Sequence, residues 1–203
     1  LGITQASNVS FIICTAPLLT TILSLLFYKS EKASKGLIYG SLLALMGVGL
    51  IVFNGSFVLK ISPIGDLLTL LAALSWAFYS LIIKKMAGRY PTIFITRKIF
   101  FYGVLTILPA FLLHPLHPDT VVLLQPAVLF NLLFLAVLAS LICYVLWNVV
   151  LKQLGTVRAS NYIYLNPLVT MIASFLILDE KITLVALGGA ACIVCGVYWA
   201  EKK

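Results

Sequence analysis

Acidic side chains are scarce in this 203-residue chain, where six Asp and Glu stand against fourteen Lys and Arg. All six acids lie in or beside short polar connectors, so no carboxylate is placed inside a hydrophobic stretch to relay protons. Histidine is rarer still. His114 and His117 share an HPLHPD connector whose prolines spoil helical ligand spacing, and no third ligand accompanies them. A solvated loop is read there rather than a metal site. The four cysteines all fall within hydrophobic stretches, which argues against a disulfide framework. Cys192 and Cys195 have a CxxC spacing but no His or acid beside them, and read as small apolar packing. Neither His-Glu-x-x-His nor a Ser/His pairing occurs, so no enzyme, metal centre or cofactor is expected.

What is abundant is apolar. Hydrophobic residues make up 62% of the chain and charged residues 10%, with a mean hydropathy of +1.13. That composition points to an integral membrane protein. Seven stretches approach the ~20 residues a helix needs to cross a bilayer. They run over Ala6–Tyr28, Gly36–Phe53, Ile64–Ile83, Ile93–Leu113, Ala127–Leu151, Ala159–Leu178 and Leu184–Ala200. The expected fold class is all-α, a polytopic membrane helix bundle with no room for a soluble domain.

A net charge of +8 raises the question of nucleic acid, but its placement answers it. Alternate connectors put Lys29, Lys32, Lys35, Lys84, Lys85, Arg89, Arg97, Lys98, Lys152, Arg158, Lys202 and Lys203 on one side. Only Lys60 and Lys181 fall on the other, together with Asp66, Asp119, Asp179 and Glu180. Basic connectors remain cytoplasmic, so the C-terminus is expected inside a cell membrane. The basicity reads as a topology signal, with no nucleic-acid partner.

The chain also repeats itself. Leu1–Asn8 reads LGITQASN and Leu154–Asn161 reads LGTVRASN. Each copy continues through a proline (Pro17, Pro167), a Glu-Lys pair (Glu31-Lys32, Glu180-Lys181) and two glycines seven apart (Gly40/Gly47, Gly189/Gly196). The copies are separated by an odd number of crossings, so they are expected to insert with opposite topology. Two units follow. Residues 1–54 hold two spans, and residues 64–200 hold five, the last two matching the first unit.

The ASN…PL…E-K…G-x6-G pattern closing each half, with Gly65-Asp66-Leu67-Leu68 and Ala73-Leu74-Ser75-Trp76-Ala77-Phe78-Tyr79 opening the second, resembles the EamA-like branch of the drug/metabolite transporter superfamily. The resemblance covers essentially the whole chain as helices four to ten of ten. It implies a ten-helix fold of two inverted five-helix repeats with cytoplasmic termini, and an N-terminally truncated chain lacking three helices. It also implies a permease that moves a small, amino-acid-like metabolite by alternating access, in the export direction.

Polar groups at membrane depth mark the candidate pathway, because each needs a partner or a wet cavity. In the first span Ser10, Cys14, Pro17, Thr21 and Ser24 form one helical stripe, and Ser160, Tyr164, Pro167, Met171 and Ser174 repeat it in the sixth. Each proline should bend its helix. These two helices are read as facing each other across a pathway. Single Ser, Thr and Cys residues serve helix packing equally well. Asn8, Asn161, Tyr164 and Asn166 are harder to explain as packing alone. The fifth span adds Ser140, Tyr144 and Asn148 on one face, with Trp147 read as an interfacial aromatic. In the third span Trp76, near Tyr79 and Ser80, fits a cavity wall or a packed core, and the resemblance favours the wall. Gly40, Gly47, Gly189 and Gly196 read as close-packing positions. Arg97 and Lys98 read as snorkelling anchors, although Arg97 is also placed to attract an anionic substrate group. The rival readings are an intramembrane enzyme, and a non-transporting scaffold or inactive transporter fragment. Oligomeric state is left open, a homodimer included. The partners expected are a small-molecule substrate and the lipid bilayer.

Overall fold

The computed structural model describes residues 6–28, 34–53, 62–113, 120–179 and 182–202. The Glu31-Lys32 and Glu180-Lys181 pairs and both histidines lie outside the described residues. Within them every regular element is helical. In chain order these are α1 (Ala6–Ile13), α2 (Ala16–Phe27), α3 (Lys35–Phe53), α4 (Pro63–Ala87), α5 (Thr92–Leu113), α6 (Thr120–Leu123) and α7 (Pro126–Leu133). A π-helical segment, Phe134–Ile142, joins α7 to α8 (Cys143–Leu154). Then come α9 (Thr156–Asn161), a 3₁₀ segment (Tyr162–Leu165), α10 (Asn166–Leu178) and α11 (Leu184–Glu201). Seven helical stretches among the described residues are long and apolar enough to cross a membrane: Asn8–Phe27, Lys35–Phe53, Pro63–Ala87, Thr92–Pro109, Pro126–Leu154, Thr156–Ile177 and Leu184–Glu201.

Packing divides the chain into two compact units, residues 1–82 with 154–203, and residues 83–153. The first is organised by α3 against α11. Each helix carries small residues one turn or two apart, and the backbones come close enough that a Cβ would not fit between them. A Cβ added at Gly40 would lie 2.5 Å from the Ala200 nitrogen, and one at Gly47 would lie 2.5 Å from the Gly189 oxygen. Gly36 faces Trp199, Gly40 faces Gly196 and Gly47 faces Gly189, so partner numbers fall as those on α3 rise. The two helices are therefore antiparallel. Lipid offers no hydrophobic drive for their association, so dispersion across this close seam is the main available attraction.

The seam supports a core. Ala44 and Val48 of α3, Ile193 and Val197 of α11, Cys14 and Tyr164 form one buried cluster, with Phe11, Leu45 and Leu165 packed at its margin. Charged groups collect at one end of this unit. The Lys35 end of α3 abuts Trp199 and Lys202, and Arg158 reaches Glu201 at 3.9 Å. With both side chains partly exposed, that ion pair contributes little stability.

Helix caps are supplied locally. The Thr183 hydroxyl accepts from the Ala186 N–H at 3.1 Å and opens α11. At α4 the Asp66 carboxylate accepts from the Ser62 N–H at 3.1 Å, which neutralises a free donor at the helix start. Leu154 and α9 are joined through Gly155, whose φ of 81° and ψ of 165° belong to a region open essentially to glycine alone.

Candidate functional site

Both repeat-bearing spans are interrupted at equivalent places. The first breaks at Cys14–Thr15, and α2 restarts at Ala16 with Pro17 in its opening turn. The sixth tightens into the 3₁₀ segment Tyr162–Leu165, and α10 restarts at Asn166 with Pro167 in its opening turn. Proline fits a first turn because its missing N–H has no helical partner there. The carbonyls around each break are largely reclaimed by short-range donors. Thr15 donates its N–H to the Ile12 carbonyl at 3.0 Å and its hydroxyl to the same oxygen at 2.6 Å. Asn166 donates its N–H to the Ile163 carbonyl. Thr20 and Thr21 bond back to Ala16 and Pro17, at 2.8 and 2.9 Å.

These interruptions lie in the interior of the first unit. Helix α2 packs on α9, and the 3₁₀ segment packs on α3 and α11. Asn8, Cys14, Pro17, Thr21 and Ser24 are buried, as are Ser160, Asn161, Tyr164 and Pro167. Ser10 and Asn166 are exposed, and Met171 and Ser174 are half-buried. The stripe is thus buried from the first break through Ser24, with Ser10 exposed ahead of it, and opens only beyond the second break, at Met171 and Ser174.

The polar groups at the second break are under-satisfied. Ser41 of α3 donates its hydroxyl to the Asn161 Oδ1 across a long 3.4 Å. Among the described residues the Asn161 amide nitrogen and the Ser160 hydroxyl have no hydrogen bond, and the Tyr164 hydroxyl has only a loose polar contact with Ser41. All three side chains are fully shielded from solvent. A buried hydroxyl or amide left without a partner costs roughly 1–3 kcal/mol. Several such groups side by side indicate a place that gains partners in another state or from a ligand. Sequence reasoning passed over Ser41, because it sits beside Gly40 in a helix that reads as scaffold.

On α4, the Trp76 and Tyr79 rings meet at a tilt of 34° with centroids 5.3 Å apart, both partly buried. Ser80 donates to the Trp76 carbonyl at 3.0 Å, and Thr156 donates to the Ser80 carbonyl at 3.4 Å. Tyr28 donates to the Leu81 carbonyl at 3.2 Å. Three side-chain hydroxyls therefore converge on one stretch of α4.

The second unit holds the remaining candidates. Asn148 is buried on α8, and its Nδ2 donates to Thr96 Oγ1 at 2.9 Å, which in turn donates to the Thr92 carbonyl at 3.0 Å. Tyr144 meets Phe100 edge to face at 5.5 Å. Ser140 lies in the π-helical segment, where the Cys143 N–H reaches back to the Leu138 carbonyl. Ser140 and Tyr144 are half-buried and Asn148 is buried, while residues 141–143 between them are exposed. No proline or glycine marks the segment, and its sequence, FLAVLASLI, carries no local warning of it. Thr96 was likewise missed, one residue from the cations that dominate that turn.

The EamA-like transporter family matches residues 63–200, with the Trp76–Tyr79 stretch and the whole sixth span inside the match. The chain belongs to this family. An uncharacterized transporter of Archaeoglobus fulgidus is 30% identical over 98% of this chain and 68% of its own length. A Salmonella typhimurium protein described as a probable amino-acid metabolite efflux pump is 29% identical over 85% of this chain and 60% of its own. An Escherichia coli protein of the same description is 25% identical over 88% of this chain and 62% of its own. The chain thus spans roughly three-fifths to two-thirds of these relatives. A solved crystal structure superposes with a TM-score of 0.84 over 99% of this chain and 69% of the other, at 17% identity, which establishes the shared fold. The protein is a multi-pass membrane protein of a transporter family.

Proposed function

We propose that the chain is a permease for a small, amino-acid-like metabolite, working by alternating access in the export direction. In this reading residues 1–54 are the end of one repeat and residues 64–200 a complete second one. The observation that carries it is the set of shielded, under-satisfied groups of Ser160, Asn161 and Tyr164 at a helix interruption that has a counterpart at Cys14–Thr15. Fixed polar groups without partners suit a solute that supplies them, and broken helices near the midplane recur in secondary transporters. The pathway residues proposed in the first unit are Asn8, Pro17, Trp76, Tyr79, Asn161, Tyr164, Asn166 and Pro167, and those proposed in the second unit are Ser140, Tyr144 and Asn148.

The chemistry narrows the cargo. The buried polar groups of the first unit are hydroxyls and amides, which recognise hydrogen-bonding groups and carry no formal charge to offset a net ionic cargo. A zwitterion or other neutral polar metabolite fits best. The descriptions of the Salmonella and Escherichia relatives support amino-acid efflux, and the family supports transport over chemical conversion. We place the protein in the cell membrane with its C-terminus cytoplasmic, because the Lys35, Arg158 and Lys202 end of the first unit gathers cations.

The reading is tested in cells expressing the chain and loaded with neutral dipeptides, by following the amino acids that leave. Efflux should rise with expression and fall at least tenfold in Asn161→Ala at equal membrane abundance. Efflux equal to that of cells lacking the chain would instead support a non-transporting scaffold.

A further inference from the structure

The first half of α5 presents a face that the proposed pathway does not use. Arg97 and Lys98 are both exposed, and both lie over aromatic rings of the same helix. The Arg97 guanidinium sits 5.5 Å from the Phe94 ring centroid. The Lys98 ammonium sits 5.9 Å from each of three rings, those of Phe94, Phe101 and Tyr102. These residues stand three or four apart, so they share one helical face. Contacts of this kind hold a cation within range of the ring quadrupole while leaving its other N–H groups free to donate.

The electrostatic setting is one-sided. From Leu67 to Pro118 the sequence contains Lys84, Lys85, Arg89, Arg97 and Lys98 and no acid. Among the described residues neither Arg97 nor Lys98 makes an ion pair. Immediately beyond them α5 turns apolar and stays uncovered, with Val104, Leu105, Ile107 and Leu108 each about half exposed or more. Ten residues separate Lys98 from Leu108, a rise of about 15 Å. That equals one leaflet of a hydrocarbon core about 30 Å thick.

We infer that this face binds an anionic phospholipid, its phosphodiester held by Arg97 and Lys98 and its acyl chains lying along the apolar run to Leu108. The vertical order carries the inference: two cations fixed on aromatic rings at the helix start, then one leaflet depth of bare apolar surface. A free anion would need only the first of these features, and an apolar protein partner only the second. The site is independent of what the protein transports.

The test is native mass spectrometry of the purified full chain in a neutral detergent with equimolar phosphatidylglycerol and phosphatidylcholine. Two cations near the surface should favour the anionic lipid on the order of 30-fold at low salt. That preference should fall as salt rises from about 50 to 500 mM, since the contact is screened at the exposed surface. Arg97→Gln/Lys98→Gln should remove most of it, and the charge-conserving Arg97→Lys/Lys98→Arg should keep it. Equal binding of the two lipids, a preference indifferent to salt, or full preference in the double Gln variant would each overturn the inference. So would displacement of phosphatidylglycerol by millimolar inorganic phosphate, which would reveal a plain anion site. The salt series uses the unaltered protein, so the answer does not depend on whether a variant folds.

Discussion

Gly188 and Gly189 are neighbours on α11, and alanine is expected to be tolerated far better at the first than at the second. A Cβ at Gly188 meets nothing within 4 Å. One at Gly189 would lie 2.7 Å from the Gly47 carbonyl oxygen and 2.9 Å from Ile51 Cγ1. Ordinary contact begins near 3.4 Å, so α3 and α11 must separate locally by about 0.7 Å. A gap of that size forfeits roughly a quarter to a half of each dispersion contact it opens. Overpacking of this kind costs about 1–3 kcal/mol. Alanine meanwhile gains up to ~1 kcal/mol over glycine in a helix interior, and that gain is common to both sites. The two single variants should therefore differ by about 1–3 kcal/mol, with Gly188→Ala neutral or stabilising. In a chain of this size that corresponds to melting temperatures separated by about 2–12 °C in detergent. Gly40→Ala and Gly196→Ala oppose each other across the same seam, so the double variant should cost less than the sum of the singles. Equal melting temperatures for Gly188→Ala and Gly189→Ala would refute the close-seam account.

Three further outcomes follow from the same geometry. Gly155→Ala should cost about 1–3 kcal/mol by thermal melting although nothing crowds the site, because its backbone lies where only glycine is unstrained. Thr96→Val and Asn148→Leu should couple in a double-mutant cycle by about 0.6 kcal/mol and no more than ~1.7, the range for hydrogen bonds between membrane helices. Ser160→Ala should leave the melting temperature unchanged or raise it, since the hydroxyl it removes is buried without a partner, while flux falls. A clear loss of stability there would mean that the hydroxyl is structural.

How much of this was legible in the sequence depends on the length scale of the signal. The seven spans are readable because hydrocarbon thickness demands long apolar runs, and these register strongly over twenty residues. Opposed insertion of the repeats is expected from the odd number of crossings between them, and α3 and α11 run antiparallel. The breaks at Cys14–Thr15 and Tyr162–Leu165 are readable as bends because Pro17 and Pro167 announce them. Where the freed carbonyls find donors is not, since Asn166 acts through its backbone N–H and Thr15 through both its N–H and its hydroxyl. The π-helical segment was invisible. Its sequence is one of ordinary apolar helix formers, and its side chains are largely exposed. Ser41 and Thr96 were overlooked because each is a single small hydroxyl in a helix dominated by a louder pattern, glycines in α3 and cations in α5. Their importance arises only from what faces them, Asn161 and Asn148, across more than fifty residues of sequence. Asn166 shows the converse. Its residue type suggested a buried role, yet its side chain is exposed while the adjacent Pro167 is buried.

The most direct test of the central claim is counterflow in proteoliposomes, with the chain reconstituted and a panel of labelled amino acids presented outside an excess of the same unlabelled solute. The account predicts accumulation for at least one neutral amino acid, lost at least tenfold in Asn161→Ala and retained in Gly188→Ala. Counterflow that persists at full rate in Asn161→Ala would place the pathway elsewhere and contradict a substrate-binding role for the buried polar groups of α9 and the 3₁₀ segment.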